Sequence, residues 1–256
     1  KDIADAIILK GGMASDVASF AELVDNINDI PNFNSYGMTW QAGYEPTSAF
    51  EVFNNKRLYL TEINNTVVQN VDDYAFYNCS NLTTVSLPAV QSIGTYAFYS
   101  CPNLTTVSLP AAQTIGVSAF YNCTNLTTVS LPAAQTIGGS AFYNCSNVTT
   151  VSLPAAQTIG DRAFQSCSNL TTVSLPAAQS IGQGAFQSCS NLTTVSLPAA
   201  QTIVHSAFYA CTNLTAVTLG KLTSFASTNT FAGCYKLSNI IIGAETNINL
   251  DISSLS

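Results

Sequence analysis

The feature that most constrains this chain is a period of 22 residues. Cysteines stand at 79, 101, 123, 145, 167, 189 and 211, always 22 apart, with an eighth at 234. Prolines 88, 110, 132, 154, 176 and 198 keep the same step. So do phenylalanines 76, 98, 120, 142, 164, 186 and 208, with Phe231 one residue late. The unit reads C-x-N-L-T-T-V-x-L-P-A-A-Q-T-I-G-x-x-A-F-x-x. A weaker copy precedes it at Leu60, Ile63, Val67, Gln69 and Val71, and another follows at 237–242. Nine strand-like segments and eight Phe-x-x-Cys turns result. A unit this short cannot enclose a core by itself, so its apolar face must be buried against neighbouring copies.

Within a unit, Leu-Thr-Thr-Val-Ser-Leu alternates with period 2, the pattern of a half-buried strand. Leu82, Val85 and Leu87 point inward, and Thr84 and Ser86 point to solvent. Pro88 ends the strand, where its missing N–H breaks no ladder. Ile93 ahead of Gly94, then Ala97 and Phe98, supply further inward residues. Stacked coils therefore align Leu, Val, Leu, Ile, Ala and Phe into apolar ladders. The expected fold is a leucine-rich repeat solenoid of parallel β-strands stacked in 22-residue coils, preceded by an N-terminal helical segment.

These words resemble the BspA-like leucine-rich repeats of bacterial surface proteins, whose units contain C-x-x-L-x-x-V-x-L-P and I-G-x-x-A-F. They occur here as 79–88 and 93–98 and recur to residue 219. The resemblance covers about residues 58–242. It implies a solenoid displayed at a bacterial cell surface and used for interaction rather than catalysis.

Residues 1–57 read as a helical cap and linker, 58–242 as the solenoid and 243–256 as a C-terminal cap or tail. Ser15 is placed to cap a helix whose Phe20, Leu23, Val24, Ile27 and Ile30 share one face, ended by Pro31. Residues 2–9 read as a shorter helix closed by Gly11 and Gly12. The string ADAIILKGG…FAELVDNINDI resembles a short motif at the start of some phage structural and bacterial surface proteins. Residues 34–57, with Trp40, Tyr44 and Pro46, read as linker or as part of the cap. Starting at Lys1 rather than Met, the chain is expected to follow a trimmed leader or upstream region, which permits secretion.

Charge narrows the partners. Only 8 % of residues are charged, against roughly 25 % in an average domain. The net charge is −7, and eleven of the fourteen acids precede residue 74. From Tyr74 to Gly220 the charged side chains are Asp161 and Arg162 alone. Such a surface lacks the basic footprint that nucleic acid or an anionic membrane requires. No apolar run approaches the roughly 18 residues of a membrane span.

The residues that first look chemical have structural readings. Stacked cysteines about 4.8 Å apart lie within bridging range, yet their parallel Cβ vectors disfavour a disulfide. They are expected as free, buried thiols acting as small apolar residues. A zinc site would draw one ligand per coil, with His205 as the only imidazole, and is not expected. Eight Asn-x-Thr sequons, at Asn64, Asn81, Asn103, Asn125, Asn147, Asn169, Asn191 and Asn213, would place glycans one strand apart, where they collide. An asparagine ladder satisfying backbone groups at the turn is the expectation. Glutamines 91, 113, 135, 157, 179 and 201 are expected to stack similarly. No catalytic grouping, Gly-rich phosphate loop or cofactor motif stands out.

Two surface stripes remain as candidate binding surface. One is the hydroxyl face of Thr84, Ser86, Thr106, Ser108, Thr128, Ser130, Thr150, Ser152, Thr172, Ser174, Thr194 and Ser196. The other follows each Phe: Tyr77, Tyr99, Tyr121, Tyr143, then Gln165, Gln187 and Tyr209. Tyrosine offers an apolar face and a polar tip, which suits sugar or protein contacts, and it equally suits packing between coils. The leading functional expectation is a non-enzymatic, adhesion-type protein, secreted or at the cell surface, that binds host protein or glycan. A structural spacer or assembly part, such as one in a phage-like particle, is the alternative. Ice binding through the hydroxyl array is a third reading, opposed by sheet curvature and mixed Ser/Thr content.

Overall fold

The computed structural model describes residues 38–40, 60–66, 68–220, 222–225 and 229–243. The helices expected over 2–9 and 16–30 lie outside the described residues, as does the tail from 244. Each coil contributes two strands, and the chain alternates between a front and a back sheet. It runs β1 (Met38–Trp40), β2 (Leu60–Asn64), β3 (Asn70–Val71), β4 (Thr84–Ser86), β5 (Ser92–Ile93), β6 (Thr106–Ser108) and β7 (Thr114–Ile115). Next come β8 (Thr128–Ser130), β9 (Thr136–Ile137), β10 (Thr150–Ser152), β11 (Thr158–Ile159), β12 (Thr172–Ser174) and β13 (Ser180–Ile181). The last are β14 (Thr194–Leu197), β15 (Thr202–Ile203), β16 (Ala216–Leu219), β17 (Ser224–Phe225) and β18 (Asn239–Ile242).

The nine parallel front strands, β2 and every even-numbered strand to β18, correspond to the nine segments read from the sequence. They pair in register, Thr150 with Thr172, Val151 with Val173 and Ser152 with Ser174. Hydrogen bonding divides the front into β2–β4–β6 and β8 through β18, and Val107 in β6 is only partly buried. The back is one continuous sheet of eight two-residue strands, β3 to β17. At the N-terminal end β1 closes the edge by pairing antiparallel to β2, with Thr39 opposite Glu62. The outermost strand is then β1, three residues long, and a short edge strand is a poor template for further pairing.

The core is the inward ladder repeated coil by coil. In one coil Leu82, Val85, Leu87, Val90, Ile93, Ala97, Phe98 and Cys101 are all 0–1 % exposed. Phe76 to Phe231 form a continuous stack with centroids 5.1–5.6 Å apart. Burying each such side chain contributes about 1.5–3 kcal/mol, but only when the next coil supplies the other wall.

A turn arc closes each coil after the back strand, and it has its own hydrogen-bonded ladder. Tyr96 N–H donates to Val117 O, Phe98 N–H to Ala119 O and Ser100 N–H to Tyr121 O, at 2.7–2.9 Å. Two residues per arc take left-handed backbone, for example Tyr96 (φ 55°) and Ser100 (φ 53°). Asn, Ser and Gly fill most of these positions, as that conformation favours. Gly94, Gly116, Gly138, Gly160 and Gly182 enter five successive arcs and are there for space. A Cβ on Gly138 would stand 2.6 Å from the Gly116 carbonyl carbon of the preceding coil.

Candidate functional site

The front face is a regular hydroxyl array. From Thr106 to Thr194 the outward Thr and Ser side chains of β6 to β14 are exposed, while Thr84, Ser86 and Ser196 are half-buried. Three hydroxyl columns run along this side, and they are not equivalent. The column beginning at Thr83 is used internally: Thr83 Oγ1 donates to Thr61 O at 2.8 Å, and Thr193 Oγ1 to Thr171 O at 2.9 Å. Among the described residues the hydroxyls of Thr150, Ser152 and their equivalents have no hydrogen-bond partner, and they face outward. They stay in this arrangement because strand alternation leaves them no inward option.

The tyrosines lie on the turn arcs. Tyr77, Tyr99, Tyr121 and Tyr143 stack with centroids 5.0, 4.7 and 4.6 Å apart and planes within 11° of parallel. Tyr99 and Tyr121 thus have an aromatic neighbour on both faces, leaving edges and hydroxyls to solvent. Burial, and then the neighbouring phenols of Tyr143 and Tyr99, push the Tyr121 hydroxyl above its ordinary pKa. Gln165 ends the column, and its Oε1 is buried without a hydrogen-bond partner. Tyr209 stands apart, 40 % exposed. A second, shorter column escapes a reading based on the Phe-Tyr stripe. Tyr74 and Tyr96 stack at 5.0 Å, and Tyr96 meets Tyr99 edge-on at 5.5 Å. Its signal in the sequence is a tyrosine directly before Ala-Phe in the first two coils, three residues ahead of Tyr77 and Tyr99.

All eight cysteines are free and buried. Each thiol from Cys101 onward donates to the carbonyl of the phenylalanine one coil back, such as Cys145 to Phe120 O at 3.1 Å. That bond explains a cysteine where alanine would otherwise fit: it fills the core and satisfies a carbonyl. Burial pushes up the thiols of Cys101, Cys145, Cys167 and Cys189, that of Cys189 to about 12. Cys211 and Cys234 share a hydrogen bond that raises the first and lowers the second.

The asparagines do form a ladder, but with a partner other than the one expected. Asn125, Asn147, Asn169, Asn191 and Asn213 each donate Nδ2 to the Oδ1 of the asparagine one coil back, at 3.3–3.5 Å. Asn103 instead uses the backbone, donating to Ser80 O at 2.8 Å. Lys236 Nζ donates to the terminal Asn213 Oδ1 at 2.7 Å. Amides at the same turn position of adjacent coils reach one another more directly than they reach a carbonyl already used by the turn. The glutamines stack through main-chain bonds, such as Gln113 N–H to Gln91 O at 2.7 Å, with exposed side chains. His205 is exposed on its arc. Among the described residues no group of three or more His, Cys, Asp or Glu is placed to hold a metal ion.

Residues 49–158 and 135–252 match the BspA type leucine rich repeat region, in six copies. The chain belongs to the BspA-type leucine-rich repeat family. A leucine-rich repeat protein from Bacteroides ovatus is 26 % identical, with a TM-score of 0.51, over 70 % of this chain and 60 % of that one. The T. pallidum leucine-rich repeat protein is 30 % identical, with a TM-score of 0.47, over 67 % and 72 %. A leucine-rich cell surface protein from Faecalibacterium prausnitzii is 18 % identical, with a TM-score of 0.42, over 86 % and 90 %. No curated protein matches the sequence. BspA-type repeats build a non-catalytic fold typical of protein-interaction scaffolds. Among the described residues no helix is long and apolar enough to cross a membrane.

Proposed function

We propose that this BspA-type solenoid is a non-enzymatic, adhesion-type interaction protein of a bacterial cell surface, binding a host protein or a glycan. The observation that carries the reading is the front face: in-register, uncharged columns of Thr and Ser, in two of which the hydroxyls have no hydrogen-bond partner among the described residues. Stacked coils offer such a surface over many strands, which is how solenoids recognise large ligands. The Faecalibacterium relative is described as a cell surface protein, and that supports the location.

The test is an array of extracellular host proteins and glycans probed with the intact chain. Specific capture, lost in a Thr150→Lys/Ser152→Lys variant that folds normally, is the expected result. Silence on both arrays sinks the proposal. It would favour the alternative of a structural spacer or assembly part, which the near-identity of successive coils also supports.

A further inference from the structure

We infer that the front sheet carries a hinge at the seam between β6 and β8, with the tyrosine column on the arcs as its pivot, so that the hydroxyl face can change its curvature. The hinge itself needs no ligand; that it serves binding rests on the interaction-protein reading above. Strand pairing runs through β2–β4–β6 and again from β8 to β18, with none between the two. The bonds flanking the strands are missing there as well. Leu87 N–H donates to Ser108 O and Leu131 N–H to Ser152 O, at 3.0 and 3.1 Å, but among the described residues Leu109 N–H has no partner. Thr105 N–H and Thr149 N–H each donate to the threonine carbonyl one coil back at 2.9 Å, and Thr127 N–H does not. Thr127 Oγ1 also lacks the bond that Thr105 Oγ1 makes to Thr83 O at 3.1 Å.

Packing opens at the same place. Val107 is half-buried, whereas Val85 and Val129 in the neighbouring front strands are 0 % and 3 % exposed. Between β10 and β12 the equivalent N–H bonds of Leu153 and Thr171 are also missing among the described residues, yet there the strands pair and Val151 stays buried. The front sequence is LTTVSLP on both sides of the seam, so the cause lies elsewhere in the coil. The other two sides remain closed. On the back, β7 pairs with β9 in register. On the arcs, Phe98 N–H donates to Ala119 O and Phe120 N–H to Ala141 O, both at 2.7 Å. Tyr99–Tyr121 and Tyr121–Tyr143, at 4.7 and 4.6 Å, are the tightest pairs of their column. The arcs are thus drawn together where the front is open, which leaves one side of the coil free to part about the other.

Amide hydrogen exchange of the intact chain, read residue by residue, tests the hinge. Leu109 and Thr127 at the seam should exchange about tenfold faster than Leu131 and Thr149 in the next coil. The back amides Gly138 and Gly160, which donate to Ile115 O and Ile137 O at 2.8 and 2.9 Å, should exchange at matching slow rates. Tyr121→Gln introduces the residue that the column already carries at Gln165 and Gln187, so the coil should fold. It loosens the arc and should slow the seam amides about threefold. Equal rates for the front amides of the two coils overturn the hinge. So does Gly138 exchanging as fast as Thr127, since the coils would then part as a whole. Seam rates unchanged in Tyr121→Gln overturn the tyrosine column as pivot. Host-protein and glycan arrays bear on none of these rates, so the hinge and the interaction reading fail separately.

Discussion

Gly138→Ala examines how closely the coils are set. The added methyl would lie 2.6 Å from Gly116 C and 2.8 Å from both Gly116 O and Ile115 O. Reaching an ordinary contact of about 3.5 Å requires a local separation of about 0.9 Å. Gly138 N–H donates to Ile115 O at 2.8 Å and Ala141 N–H to Gly138 O at 3.2 Å; the same displacement lengthens the first and carries the second, already long, beyond hydrogen-bonding range. One such loss at about 0.5–1.5 kcal/mol, with overpacking of about 1–3 kcal/mol, gives a destabilisation of about 1.5–4.5 kcal/mol. The chain contains its own control. Val204 occupies the equivalent position: it keeps the coil-to-coil bond, to Ile181 O at 3.0 Å, but Ala207 there lacks the turn bond that Ala185 makes to Gly182 O at 3.3 Å. Urea unfolding followed by far-ultraviolet circular dichroism measures the effect. A change below about 0.5 kcal/mol for Gly138→Ala would show that the coils part at little cost and refute the reasoning.

Three further outcomes follow from neighbouring ladders. Gln165→Tyr continues the tyrosine column and removes a buried acceptor without a partner, so stability should rise by about 1–2 kcal/mol in the same denaturation assay. Buried thiols stay protonated in the folded state where the unfolded chain ionises. Stability is therefore complete below about pH 9 and falls toward pH 12, by about 1.4 kcal/mol per unit for each raised thiol, as base titration of the unfolding midpoint should show. Secretion through a eukaryotic pathway should leave Asn125, Asn147, Asn169 and Asn191 without glycans by mass spectrometry, because each Nδ2 is committed to the ladder and neighbouring sites are one strand apart.

The coil and its inward residues were legible because Leu82, Val85 and Leu87 alternate over a stretch long enough to show period 2. The back sheet was not, since strands such as Thr114–Ile115 are two residues long and carry no alternation. Ile93 revealed its burial but not its pairing. The front hydroxyls could be placed from alternation alone, yet only the geometry separates Thr149, which donates to Thr127 O, from Thr150, which does not. Tyr74 and Tyr96 escaped notice because their position varies from coil to coil. What holds constant there is the left-handed backbone, shared by Tyr96, Ser118, Ser140 and Arg162, and side-chain identity does not announce it.

In-register pairing of near-identical coils also makes them interchangeable. Joining residue 122 to residue 145 would excise one cysteine-to-cysteine unit while returning each Phe, Cys and Thr to an equivalent partner. The rod would shorten by a single strand spacing, about 4.8 Å. Unequal recombination within the repeated DNA can thus change reach in whole steps without a new fold. Length then becomes a heritable variable as easily adjusted as a surface side chain.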